Sequence, residues 1–149
     1  MISLIERSFD GFVLSTDNSK VVVQTVYEFL SRESYWAQHI SMETVAASIK
    51  HSLCLGVYAS NGALVGFGRM ITDYATFGYL ADIFVLKSYR GLGISKEMMK
   101  IFCEIADECG LRRFLLTTQD AHGLYRQFGF EAFSFPERMM GRKGIVYGK

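Results

Sequence analysis

The spacing of apolar residues along the chain predicts strands alternating with helices. Short apolar or alternating segments bounded by polar turns indicate strands at residues 9–14, 53–59, 63–72, 79–86 and 114–118. The dipeptide Asn61-Gly62 lies between two of these strands and favours the tight turn of a β-hairpin. Two further apolar stretches near the C-terminus, 130–135 and 145–147, are predicted to add edge strands.

Four segments have helical periodicity, at residues 20–32, 42–51, 94–109 and 121–128. Ser41 is a suitable N-cap for the second helix, and Gly110 is suited to end the third. The third helix has a regular apolar stripe of Ile94, Met98, Ile101, Phe102, Ile105 and Cys109. The order of strands and helices predicts an α+β fold, in which a mixed sheet carries helices on both faces.

The composition of the chain argues against some classes of binding partner and indicates its cellular compartment. The 149 residues carry 16 Lys and Arg against 15 Asp and Glu, a net charge of +1, which argues against nucleic acid or an anionic membrane as the main partner. No apolar run approaches the roughly 20 residues that span a bilayer, and residues 1–10 lack the apolar core of a signal peptide. We therefore expect a cytoplasmic protein. The composition, rich in apolar and aromatic residues, also makes a homodimer plausible.

A glycine loop follows the strand 79–86 and leads into the helix 94–109. It consists of Arg90, Gly91, Leu92, Gly93, Ile94 and Ser95. Glycine lets a main chain approach a diphosphate, and the first N–H groups of a helix have no partner within the helix, so this arrangement suits an anion. It lacks the lysine of a Walker loop and the third glycine of a dinucleotide fingerprint. The alternative is a helix that merely begins with glycines.

Two motifs give the chain a wider resemblance. Residues 85–95, VLKSYRGLGIS, resemble the central motif of the GCN5-related N-acetyltransferases (GNAT), which is Arg/Gln-x-x-Gly-x-Gly/Ala after a strand ending in Val. Residues 121–130, AHGLYRQFGF, resemble the family's later helix motif, A-x-x-x-Y-x-x-x-G-F. Ser95 replaces the usual Gly or Ala, and Thr118 replaces a common Asn. The two motifs occur in the family's order, on the expected elements.

The resemblance implies one N-acetyltransferase domain over residues 1–149, with a three-layer fold and a mostly antiparallel central sheet. It also implies acetyl-CoA as co-substrate and a primary amine of a small molecule or peptide as acceptor, with direct acetyl transfer. The cofactor-binding residues it implies are Phe84, Val85, Arg90, Gly91, Leu92, Gly93, Ile94, Ser95 and Tyr125. Two alternatives remain open, a non-catalytic acetyl-CoA sensor and an acyltransferase that uses a longer acyl-CoA.

Three roles are predicted for the chemistry. Tyr125 occupies the position of the family's catalytic tyrosine, where a phenol can protonate the leaving thiolate; the alternative is a core aromatic. Asp82 interrupts an apolar strand and is predicted as the base, acting directly or, more readily, through a water molecule; a structural ion-pair partner is the alternative. The N–H of Val85 is the predicted oxyanion donor.

The acceptor pocket is the least determined part. Trp36, His39 and residues 73–77 lie in regions that usually shape the substrate site in this family. For His39, a solvent-facing loop histidine is the favoured alternative. His122 precedes Tyr125 and is a candidate for tuning it, although an ordinary surface histidine is the alternative. The three histidines are scattered and the three cysteines form no CxxC pair, so no metal site is predicted.

Overall fold

The computed structural model describes residues 2–148, and its six strands form one mixed sheet. The strands follow one another in sequence order across the sheet, and every neighbouring pair is antiparallel except the last, β5 with β6. A parallel pair needs a crossover connection, which a helix provides here. The strands are β1 (Glu6–Phe9), β2 (Phe12–Ser15), β3 (Leu53–Tyr58), β4 (Leu64–Thr72), β5 (Phe77–Val85) and β6 (Arg113–Leu116).

Four α-helices accompany the sheet: α1 (Val23–Glu28), α2 (Met42–Lys50), α3 (Ile94–Cys109) and α4 (His122–Arg126). The predicted helix over 20–32 is divided, because α1 continues as a π-helical segment, Phe29–Glu33. The predicted cap of α2 is confirmed, since the Ser41 side chain accepts a hydrogen bond from the Thr44 amide. Gly110 ends α3 in the left-handed conformation, with φ 65°, as predicted.

The helices cover both faces of the sheet, which confirms the three-layer α+β prediction. The apolar stripe of α3 packs on one face, against residues such as Leu55, Val57 and Val65 of the central strands. On the other face, α1, the π-helical segment and α2 pack against Phe67 and Phe84. The sheet therefore separates two apolar cores. A gap between two of its strands would connect the α3 side with the α1–α2 side.

The prediction of a single strand over residues 9–14 was wrong. The structure has a hairpin there, in which Phe9 pairs with Phe12 across a two-residue turn. Asp10 and Gly11 form that turn with φ of 51° and 83°. Asp-Gly is a favoured pair for a turn with two positive φ angles, so the sequence did contain this signal.

The predicted edge strands at 130–135 and 145–147 were also wrong. The only regular element in residues 131–148 is the short 3-10 helix Pro136–Arg138. A strand needs a neighbour for its N–H and C=O groups, and apolar side chains alone do not supply one. The apolar side chains of this tail are largely exposed instead: Phe133, Phe135, Met139, Met140, Ile145 and Val146.

Candidate active site at the separation of two strands

The parallel strands β5 and β6 separate halfway along β5. Pairing runs from Phe77 with Arg113 to Leu80 with Leu116. There β6 ends, while β5 continues to Val85. A cleft of about 700 Å³ opens at this separation, lined by residues 79–83, residues 116–121, Tyr125, and two aromatic residues from the opposite layer, Tyr35 and Trp36.

The main chain of Val85 faces this separation. The Leu86 amide donates to the Val65 carbonyl at 2.8 Å, and Val85 is opposite Gly66. Because hydrogen-bonded and non-hydrogen-bonded pairs alternate in an antiparallel ladder, the N–H and C=O of Val85 point away from β4. Arg90 Nε donates to the Val85 carbonyl at 2.9 Å. The N–H of Val85 is thus the main-chain donor that this strand end presents toward β6.

Phe84 was predicted to contact the cofactor, but it lies in the core of the protein. The same alternation turns its N–H and C=O toward β4, where it pairs with Phe67. Its ring is buried and stacks on Phe29, with centroids 4.0 Å apart. Phe84 therefore forms part of the core beneath the α1 layer, and no polar group of this residue is directed toward the cleft.

Asp82 lies in a β-bulge. The β4–β5 register shifts between Phe67 and Arg69, so that Asp82 and Ile83 together oppose Gly68. Asp82 has φ 55°, in the left-handed region that few residues other than glycine and asparagine adopt readily. Such bulges redirect a side chain and end the regular pairing of a strand. This one lies where β5 leaves β6.

Both carboxylate oxygens of Asp82 accept hydrogen bonds. Arg69 Nε donates to Oδ2 at 2.6 Å and Trp36 Nε1 donates to Oδ1 at 2.8 Å. Arg69 also donates from Nη1 to the Ser52 hydroxyl at 3.1 Å. The Asp82 side chain is only 9% exposed, yet it borders the cleft. The ion pair that the sequence left open is present, and the role of Asp82 as base stays a prediction.

The glycine loop has the geometry of an anion site. Gly91 and Gly93 have φ of 79° and 84°, and Gly93 caps α3 without any side-chain cap. The first helical bond is from the Glu97 amide to the Gly93 carbonyl at 3.1 Å. The amides that precede Glu97 in the first turn therefore have no partner within the helix. Gly91, Leu92 and Gly93 are exposed, whereas Ile94 anchors the turn in the core.

Tyr125 lies on the wall of the cleft that α4 provides. Its ring packs edge-on to Phe130, with centroids 6.0 Å apart, and contacts the core under α3. Burial raises the pKa of the Tyr125 phenol, and the nearby Tyr35 and Asp120 add to this shift. The hydroxyl makes no hydrogen bond with another residue in the part of the chain that the structure describes. Its role as the acid of the reaction stays a prediction.

The wall opposite α4 consists of aromatic residues that sequence reasoning missed, apart from Trp36. Tyr35 and Trp36 pack edge-to-face, with centroids 5.0 Å apart. The Tyr35 hydroxyl accepts a hydrogen bond from the Gln119 amide at 3.0 Å, which joins the two sides of the cleft. The Tyr79 and Thr117 hydroxyls are 2.7 Å apart and join β5 to the end of β6. The only signal for Tyr35 in the sequence was its position next to Trp36.

Two other acceptor-site candidates, His39 and residues 73–77, lie outside the cleft lining, as does His122, the candidate for tuning Tyr125. His39 is in a separate depression with Tyr27 and Arg32. Residues 73–77 form a tight turn in which Asp73 accepts hydrogen bonds from the Ala75, Thr76 and Phe77 amides. His122 is exposed on α4 and does not line the cleft. Of the residues predicted to shape the substrate site, only Trp36 lines the cleft.

Residues 2–148 contain no cluster of three or more His, Cys, Asp and Glu side chains able to hold a metal ion. None of their helices has both the length and the apolar character needed to cross a membrane.

This chain is similar in sequence and fold to known acetyltransferases. Residues 23–130 match the model of the acetyltransferase (GNAT) family. A solved structure from Xanthomonas campestris pv. campestris, a candidate acetyltransferase of the GNAT family, has a TM-score of 0.87 and 43% identity, covering 95% of this chain and 97% of that one. A candidate acetyltransferase of Gibberella zeae is 29% identical over 154 residues, which cover 90% of this chain and 85% of the relative.

A shorter match is to the thialysine N-epsilon-acetyltransferase of Mus musculus. It is 37% identical over 79 residues, which cover 47% of this chain and 46% of the relative. On the family match, which extends over well more than half of the 149 residues, and on the fold that it shares with the Xanthomonas protein, this chain belongs to the GNAT family of acetyltransferases.

Proposed function

We propose that this chain is an N-acetyltransferase that moves the acetyl group of acetyl-CoA directly to a primary amine of a small molecule or peptide. The observation that carries the proposal is the cleft between β5 and β6. It is lined by the Tyr125 phenol and the Asp82 carboxylate, and three residues beyond Asp82 the same strand ends at the unpaired main chain of Val85, which Arg90 of the glycine loop contacts. A relative named for acetylating an ε-amine supports an amine as acceptor.

The residues fit acetyl-CoA as the donor. Its diphosphate would bind to the free amides of the glycine loop, where the dipole of α3 favours negative charge. The positive φ of Gly91 and Gly93 brings those amides to the surface without side chains in front of them. Acetyl-CoA supplies an activated thioester. The main chain of Val85 and the ring of Tyr125 would flank that thioester where the strands separate.

The transfer forms a C–N bond and breaks a C–S bond, and each step has a candidate residue. An amine with a pKa of about 10.4 must lose a proton, which costs about 4 to 5 kcal/mol at pH 7. Since both Asp82 oxygens already accept hydrogen bonds, we propose that Asp82 accepts this proton through a water molecule. The Val85 N–H would stabilise the oxyanion, a contribution of about 3 to 4 kcal/mol. Tyr125 would protonate the departing thiolate.

A CoA-release screen tests this function. The protein is mixed with acetyl-CoA and, in turn, with polyamines, aminoglycosides, amino acids and N-terminal peptides, and free CoA is measured. We expect acetyl-CoA to raise the thermal midpoint, and at least one amine class to release CoA with formation of an N-acetyl product. Tight binding of acetyl-CoA without release across the whole panel would contradict the proposal and favour a sensor. Faster release from a longer acyl-CoA would assign a different donor.

We also propose that the protein forms a homodimer. The support is the set of exposed apolar side chains in the tail, of which Met140 is 95% and Ile145 is 87% exposed, together with the aromatic-rich composition. Light scattering on the purified protein measures its mass directly. A monomeric mass at micromolar concentration would contradict this proposal.

A further inference from the structure

The charged groups that line the cleft are all acidic. Residues 79–83, residues 116–121, Tyr35, Trp36 and Tyr125 include two carboxylates, those of Asp82 and Asp120. The same lining contains no lysine, arginine or histidine. Arg69 balances the charge of Asp82 at 2.6 Å. Asp120 is exposed and, within residues 2–148, makes no ion pair, so the cleft carries a net negative charge.

Tyr35 and Trp36 form the end of the cleft on the α1–α2 side of the sheet, and both carboxylates adjoin them, Asp82 through its hydrogen bond from Trp36 and Asp120 through its neighbour Gln119. Trp36 packs on Phe29, which belongs to the core under α1 and α2, whereas the glycine loop leads into α3 on the opposite face. Asp120 follows Gln119, whose amide donates to the Tyr35 hydroxyl. A donor held by the glycine loop on the α3 face therefore leaves the Tyr35, Trp36 and Asp120 end for the acceptor.

This end can attract a cation. Tyr35 and Trp36 are 50% and 40% exposed, so part of their ring surface is open to a ligand. Aromatic faces attract ammonium groups, and an unpaired carboxylate does so at longer range. A carboxylate or phosphate on the acceptor would meet no positive side chain in the lining and would be repelled by Asp120. The same groups that favour a cation therefore disfavour an anion.

We propose that the acceptor is a primary amine whose remaining groups are cationic or neutral, and that the cleft selects against amines bearing a carboxylate or phosphate close by. This inference rests on the proposed function and adds the substrate class. Diamines, polyamines and amines on neutral chains fall within the class. The α-amines of free amino acids and the amines of amino-sugar phosphates fall outside it.

A matched series of acceptors tests the proposal. The compounds 1,4-diaminobutane, 4-aminobutanamide and 4-aminobutanoate present an ammonium, a carboxamide and a carboxylate at the same distance from one amine. We expect kcat/KM to fall in that order, with the diamine at least about 20-fold above the acid after correction for its two equivalent amines. Equal values, or a preference for the acid, would overturn the proposal.

The variant Asp120→Asn tests whether the preference for cationic amines arises in the cleft. It removes the unpaired charge from an exposed position, and we expect it to reduce the ratio of diamine to acid at least about threefold while leaving the KM for acetyl-CoA unchanged. Glu108→Gln is the matched control, because it removes an exposed charge from α3 outside the cleft. An unchanged ratio in Asp120→Asn would overturn the assignment to this cleft.

The two proposals fail in different ways. If acetyl-CoA stabilises the protein but no amine of any charge releases CoA, the N-acetyltransferase function fails and the substrate class falls with it. If amines are acetylated at rates that do not depend on the charge of the distal group, only the substrate class is overturned.

Discussion

The proposed donor and acceptor ends of the site are built from different parts of the chain. The proposed donor end is the glycine loop, one continuous segment of residues 90–95, and its candidate binding groups are main-chain amides at the start of α3. The proposed acceptor end is in the cleft, where the groups are side chains from separate segments. Tyr35 contacts Gln119, which is 84 residues away, and Trp36 contacts Asp82, which is 46 residues away.

This difference predicts which end is more sensitive to a single amino-acid substitution. The donor end depends on backbone conformation, so a single change of glycine there alters every amide at once. The acceptor end depends on individual side chains, each of which contributes on the order of 1 kcal/mol when its hydrogen bond is exposed to solvent. We therefore expect large effects on acetyl-CoA from the loop, and smaller and more selective effects on the amine from the opposite wall.

The largest effect is expected from Gly93→Val. Gly93 has φ 84°, and an added Cβ would lie 3.4 Å from the Phe9 ring. A β-branched residue is strained in this conformation, and the displaced amides would lose the anion, together about 4 kcal/mol. We expect kcat/KM for acetyl-CoA to fall on the order of 1000-fold, measured by CoA release and by calorimetric titration.

Gly110→Val is the matched control. Gly110 has φ 65° at the C-terminal end of α3, and an added Cβ would meet nothing within 4 Å. It imposes a similar backbone strain at the opposite end of this 16-residue helix, so stability should fall while acetyl-CoA binding at 25 °C remains. If both variants bound acetyl-CoA equally well, the anion site would not be at the glycine loop.

The second effect is expected from Tyr125→Phe, which removes the proposed proton donor while keeping the ring packing. General acid catalysis contributes about 100-fold or more, so kcat should fall about 100-fold with the affinity for acetyl-CoA retained. Tyr74→Phe is the control, because Tyr74 is half-buried outside the cleft. Undiminished turnover would remove Tyr125 from the mechanism.

The pH profile sharpens this prediction. A phenol acts as an acid only while protonated, so activity is lost as the pH rises through its pKa. Burial raises the pKa of Tyr125 above the ordinary value of 10.0. We therefore expect kcat to show no alkaline decline from this group below about pH 10. A loss of kcat centred near pH 8 that Tyr125→Phe abolishes would contradict this protonation state.

The third effect is expected from Asp82→Asn. Asparagine tolerates the left-handed φ, but it leaves Arg69 without its carboxylate. We expect the free energy of unfolding to fall by about 2 to 4 kcal/mol, and the thermal midpoint by roughly 5 to 10 °C. If Asp82 is also the base, kcat at 25 °C should fall about 50-fold. A lower midpoint with unchanged kcat would leave Asp82 a structural role only.

Glu104→Gln provides the comparison for that ion pair. Arg7 donates to Glu104 at 2.7 Å, and the two side chains are 36% and 54% exposed. This hydrogen bond lowers the pKa of Glu104, so the pair contributes stability only above the unfolded pKa and loses it as the pH falls. At neutral pH we expect a loss of less than about 1 kcal/mol. A loss equal to that of Asp82→Asn would show that burial does not distinguish the two pairs.

The smallest effect is expected from Tyr35→Phe. The hydroxyl loses its hydrogen bond from the Gln119 amide while the ring stays against Trp36. A loss of about 1 kcal/mol corresponds to about a fivefold rise in the KM for the amine, with little change in kcat and no change for acetyl-CoA. Tyr27→Phe, outside the cleft lining, is the control. A larger effect on acetyl-CoA than on the amine would assign Tyr35 to the donor end.

The sequence by itself determined the features that depend on near neighbours in the chain. The stripe of α3, its end at Gly110, the hairpin at Asn61-Gly62 and the glycine loop all follow from a helical or strand period, or from a φ angle that glycine adopts easily. The mostly antiparallel sheet and the choice of Tyr125 came from the family resemblance rather than from such periods. Asp10-Gly11 carried the same kind of local signal, but the apolar residues around it indicated one strand.

Only the tertiary structure decided the acceptor end and the surroundings of Asp82. The bulge at Asp82 arises from its register against Gly68 on β4, and its hydrogen bonds with Trp36 and Arg69 join three separate segments. It also decided that the apolar tail, residues 131–148, forms no strand. A period in the sequence describes which face a residue occupies, whereas these contacts depend on which distant segment the fold brings against that face.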